Sequence, residues 1–110
     1  MRGMIILTMA GLGLGLAACG PGEDAVRFDG NLYSTKLKSE RGARANFLVT
    51  ARPVSASLLG AREAARYEAT VYCVNSYGSS AIEWVIGPDS PDESLPIDRD
   101  TLTLQGVCPE

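Results

Sequence analysis

The chain reads as an α+β domain: a small antiparallel sheet in the order strand, strand, helix, strand, strand, with one helix packed on a face. Three observations predict this. Apolar and polar residues alternate with a period of two in stretches on either side of the chain's middle. The stretch between them, roughly Ala61 to Ser76, changes to the helical period and separates a row of alanines from a row of arginines. Glycines, prolines and serines punctuate the joints. Such an element order is satisfied by a helix laid across a single sheet, and no internal repeat is evident.

The elements follow in chain order. Residues 1–18 have the parts of an export signal: Arg2 beside the amino terminus, an apolar run from Met4 to Leu16, and small residues before a cleavage position. The run is too short for a hydrocarbon core that needs roughly 20 residues, so a permanent membrane helix is not expected. Leu16-Ala17-Ala18-Cys19 has the form of a lipobox, and in this the chain resembles bacterial membrane lipoproteins. The resemblance implies that Cys19 carries a diacylglyceryl group and becomes the first residue of the mature protein, with further acylation of its amine in many bacteria. Two or three acyl chains anchor a protein stably where one holds it only marginally. Gly20 stands where an aspartate would signal inner-membrane retention, so the outer membrane is favoured over the inner. The expected division is a signal at 1–18, a lipidated cysteine and flexible tether at 19–26, and a single domain at 27–110.

Gly20-Pro21-Gly22-Glu23-Asp24 is the polar part of that tether. A first strand is expected within Val26 to Leu37, where Phe28, Tyr33, Thr35 and Leu37 alternate with polar neighbours around an Asp29-Gly30 turn or bulge. The link from Ser39 to Ala43 leads to a second strand, Arg44 to Pro53, with Ala45, Phe47, Val49 and Ala51 on one face, and a hairpin joins the two. Ser55, Ser57 or the pair Gly60 and Glu63 offers a start for the helix. On the wheel, Ala61, Ala65, Ala69, Tyr72 and Cys73 form the core side, and Arg62, Glu63, Arg66 and Thr70 a polar strip. Tyr67, Val71 and Val74 make a further apolar stripe, which predicts that the helix is covered on more than one side.

Gly78 suits the left-handed conformation that closes many helices. A third strand is expected over Ala81 to Ile86, with Ile82, Trp84 and Ile86 alternating. Gly87 to Arg99, with Pro88, Pro91 and Pro96 among Asp89, Asp92, Glu93 and Asp98, reads as a surface loop. The last strand is Thr101 to Val107, with Leu102 and Leu104 inward. With Cys19 lipidated, Cys73 and Cys108 are left in an oxidising compartment and are expected to pair. The bridge would close a loop of about 36 residues, and the chain-entropy model gives it roughly 4 kcal/mol. The segment from Cys73 to Trp84, with the closing Cys108, resembles small envelope lipoproteins of proteobacteria; this implies location and size class but no activity.

Charge is uneven along a chain of net charge −3. Lys36, Lys38, Arg41, Arg44, Arg52, Arg62 and Arg66 crowd the first half of the domain, whereas Arg99 stands alone among the acids from Glu68 onward. Of these, Lys36, Lys38, Arg41, Arg44, Arg62 and Arg66 form a candidate basic surface for anionic headgroups or an acidic partner; the alternative is that they pair with the acids as ordinary solvated surface. Nucleic acid is not expected, because an exported acidic chain lacks both access and the counterion-release term. No histidine is present for general acid or base work, no serine lies in a nucleophile elbow, and the acids lack calcium-loop spacing. Neither catalysis, a metal nor a cofactor is expected. The chain therefore reads as a lipid-anchored, periplasm-facing protein that acts by binding, as an accessory or assembly component of an envelope complex. The rival reading is a lipoprotein that holds a small molecule or ion.

Overall fold

Five strands and one long helix make up residues 26–110, the part of the chain described by the computed structural model; the expected signal at 1–18 and the expected lipidation site Cys19 lie outside the described residues. The strands are β1 (Ser34–Glu40), β2 (Ala43–Arg52), β3 (Glu83–Ile86), β4 (Ile97–Asp98) and β5 (Thr101–Val107), and the helix α1 is Leu58–Tyr77. All pairings are antiparallel, in the order β1-β2-β5-β3, with β4 also against β5. The expected α+β architecture is the one observed.

Alternation in β2 and β5 directs the packing. Val49, Ala51, Leu102 and Leu104 leave one face of the sheet and meet Ala61, Ala65, Ala69 and Cys73 of α1, all of them fully buried. Alanine in this row keeps the helix backbone close to the sheet, so larger residues from the strands fill the layer between. Phe47 is the centre of an aromatic group, edge-on to Trp84 at 5.7 Å and to Tyr72 at 6.1 Å. Gly106 makes room for it: a Cβ there would come within 2.9 Å of the Phe47 ring and 3.0 Å of Trp84.

Both ends of α1 are capped. Ser57 is the residue that begins it, its Oγ accepting from the Gly60 N–H at 3.0 Å. Gly78, at φ 75°, ends it and donates its N–H to the Val74 carbonyl. One turn from the helix end, Cys73 is bonded to Cys108, Cα to Cα 5.4 Å, which ties the helix layer to the residue following β5.

Four expectations need correction. The first strand does not start at Val26: Phe28 and Asn31 pair with each other across the left-handed Asp29-Gly30 turn, and β1 begins at Ser34 and continues to Glu40. The reversal pairs the backbone N–H and C=O of Phe28 with those of Asn31 rather than with a neighbouring strand. The third strand starts two residues late, at Glu83. The loop from Gly87 to Arg99 contains a short strand, β4, a 3₁₀ turn at Asp92–Ser94 and buried Leu95. β3 and β4 are thus two segments of one edge, pairing opposite ends of β5 (Glu83 with Val107, Ile97 with Leu102) around an excursion at 87–96. Finally, among the described residues the stripe of Tyr67, Val71 and Val74 has only the Phe28 ring against it, at Tyr67, and no second layer covers it: the three are 48%, 39% and 44% exposed.

Candidate functional site

Because α1 packs on one face of the sheet, nothing among the described residues covers the other, and the pleat decides which side chains it presents. Cross-strand register assembles them into rows. Ser34 lies opposite Arg52; Lys36 opposite Thr50, which faces Thr103; Lys38 opposite Leu48, which faces Gln105; Asn46 opposite Val107, which faces Glu83. Arg44 is on the same face, at the start of β2. Leu48 is an apolar residue at a solvent-facing position, 44% exposed, between Lys38 and Gln105. Lys38, Glu40, Asn46, Leu48 and Gln105 line a shallow depression of about 380 Å³ at this end of the sheet.

The electrostatics of the face follow from which charges are partnered. Arg44 donates to the Ser39 hydroxyl at 3.3 Å, and Asn46 donates to Glu40 at 3.3 Å. Among the described residues, no ion pair involves Lys36, Lys38, Arg41, Arg44 or Arg52. The β1–β2 half of the face is therefore cationic, with Glu40 its one acid, while the β3–β5 half carries Glu83 and Asp98 at its rim. Lysines in the exposed edge strand β1 also disfavour edge-to-edge pairing with another sheet, which accounts for part of their presence.

The six basic residues singled out in the sequence are not brought together. Lys36, Lys38 and Arg44 lie on the open face and Arg41 in the turn joining β1 to β2, but Arg62 and Arg66 lie on the helix layer and are paired with acids. Arg62 donates to the Pro88 and Ser90 carbonyls at 2.9 and 3.0 Å and pairs with Asp92; Arg66 pairs with Asp89 at 3.0 Å and with Glu63 at 3.5 Å. Their work is to fasten the proline-rich excursion to α1. Arg52 and Leu48 complete the open face, and the signal for both was the alternation of β2, in which Leu48 breaks an otherwise polar set.

Elsewhere, Trp84 and Tyr72 serve the core, the Tyr72 hydroxyl donating to the Arg44 carbonyl at 2.7 Å. The Tyr77 hydroxyl is held above its usual pKa of 10.0, first by desolvation and then by Tyr72 and Glu110, with Arg44 opposing. Among the described residues, no three His, Cys, Asp or Glu side chains are grouped to hold a metal ion, and no helix is long and apolar enough to cross a membrane. No family model, curated protein or solved structure matches the chain.

Proposed function

We propose that this protein is a lipid-anchored component of a bacterial cell envelope, held by an acylated Cys19 and facing the periplasm, that acts by binding an acidic partner protein as an accessory subunit. The observation that supports the binding role is the uncovered sheet face, where Lys36, Lys38, Arg44 and Arg52 surround exposed Leu48. A row of cations without acid partners repels itself weakly through water and salt; an acidic surface would relieve that repulsion, and its long-range attraction would also speed encounter. An apolar residue at the centre of a polar rim is the usual layout of a docking patch. The anchoring part of the proposal stands on the lipobox at Leu16–Cys19 and on the small residues and short apolar run before it.

A small-molecule carrier is the weaker reading. Ligand sites bury most of their ligand in a concave, largely apolar cavity, whereas the depression by Leu48 is shallow and rimmed by charge. The test is crosslinking in intact envelopes, comparing the native chain with Cys19→Ala and with the double variant Lys36→Glu/Lys38→Glu. The expected result is one dominant crosslinked protein that is lost from both variants. Retention of the same crosslink in the charge-reversed variant would remove the open face from the proposal.

A further inference from the structure

The helix layer carries a second uncovered surface, opposite in direction to the first. Tyr67, Val71 and Val74 recur at i, i+4 and i+7, and at 100° per residue they lie about 180° around α1 from the buried row of Ala61, Ala65, Ala69 and Cys73. The stripe therefore points away from the sheet. Phe28 rests on its upper end, with its ring 5.6 Å from that of Tyr67, and Val26, the first described residue, is itself 49% exposed. The described part of the chain thus begins on the helix side of the domain. Six residues lie between Cys19 and Val26 in the sequence, and the extended chain from one to the other reaches at most about 25 Å.

From these observations we infer that the stripe Tyr67-Val71-Val74, with Val26 and Phe28, seats the domain on the bilayer surface, so that the open sheet face is turned away from the membrane and toward its partner. The inference rests on the proposed acylation of Cys19. Acyl chains fixed within a short tether of Val26 bring the nearer of the two broad faces to the lipid, and that face is the helix. Its chemistry fits: the helix stripe Tyr67-Val71-Val74 carries no charged residue, its neighbour Glu63 is paired with Arg66 at 3.5 Å, and exposed Arg27, between Val26 and Phe28, suits headgroup phosphates, so contact is by apolar and aromatic side chains with a cation at the interfacial level. A second copy of the chain fits less well, because a stable protein interface needs about 800 Å² from each partner, and four or five half-exposed side chains supply far less. The bilayer contact needs no such area, since the anchor already raises the local concentration of lipid to that of a tethered ligand.

The acylated full chain in phosphatidylcholine vesicles with brominated acyl chains tests this by tryptophan quenching, with flotation of the same vesicles as the check on anchoring. Val71→Trp is compared with Thr50→Trp on the open face, native Trp84 supplying the common background. Fluorescence added by Val71→Trp should be quenched several-fold more than that added by Thr50→Trp. Protein that floats with the vesicles yet shows equal quenching at both positions overturns the orientation and leaves the anchoring reading intact. Protein that carries no acyl chain and does not float overturns both. Absence of quenching, with Val71→Trp emission shifting blue as protein density rises, assigns the stripe to a second copy and overturns the bilayer seat.

Discussion

Breaking the Cys73–Cys108 bond should remove a large share of this domain's stability, and the amount can be worked from its position. The two residues are 35 apart in sequence, so the bond closes a loop that spans most of α1's C-terminal turn, β3, the excursion and β5. For a loop of that length, the loss of freedom in the unfolded chain amounts to about 4 kcal/mol. In the folded state both sulfurs are buried, with Cys73 0% and Cys108 1% exposed, so replacing them with alanine also leaves a small cavity that adds to the cost. Against a total stability of about 5–15 kcal/mol for a domain of this kind, the double variant Cys73→Ala/Cys108→Ala should lose between about a quarter and most of it. At about 4–8 °C per kcal/mol for a small domain, its melting temperature should fall by about 20 °C. The helix would still be held by Ala69 and by the Tyr72 hydroxyl on Arg44, so the variant should fold at low temperature with its helical circular dichroism intact. Thermal melts of the oxidised, reduced and doubly substituted protein, with the thiol state fixed by mass spectrometry, make the comparison. A fall of less than about 5 °C once the bond is demonstrably absent would refute the loop-entropy argument for this fold.

Two further substitutions probe how the layers are held. Gly60→Ala should destabilise by up to about 2 kcal/mol: alanine gains about 1 kcal/mol of helix propensity, but its Cβ would overlap the Tyr33 hydroxyl and lie 2.8 Å from the Phe28 carbonyl oxygen, a crowding that costs about 1–3 kcal/mol. A denaturant midpoint at or above that of the native protein would contradict it. Arg62→Ala should cost about 2 kcal/mol, since the guanidinium, 14% exposed, donates to two loop carbonyls, while its contact with exposed Asp92 adds little. Amide exchange at residues 88–96 should quicken in this variant, and unchanged exchange there would mean that the excursion is held by something else.

The element types were legible in the chain because each has a period of its own. β2 and β5 alternate strictly, so their core residues could be named from sequence, and the alanine row of α1 named the side that meets them. Ser57 was one of three plausible starts for the helix, and only its hydroxyl on Gly60 distinguishes it from Ser55. β4 was missed because two residues between prolines carry no period at all; its strand character comes entirely from pairing with Thr101 and Leu102. The same limit hid the reversal at Phe28, where the alternation was real but the Asp29-Gly30 turn folds the segment onto itself.

By itself, then, the sequence determined that two pairs of strands flank one amphipathic helix, which faces of these elements are apolar, and that Cys73 and Cys108 are the expected disulfide pair, since periodicity and composition are properties of the chain. Tertiary structure alone decided that β5 is inserted between β2 and β3, that Arg62 and Arg66 fasten a loop while Lys36, Lys38, Arg44 and Arg52 share one sheet face, and that the Tyr67 stripe meets only Phe28 among the described residues. A period fixes the direction in which a side chain leaves its element, but what it meets depends on which layer lies there, and one helix can cover only one face of a sheet.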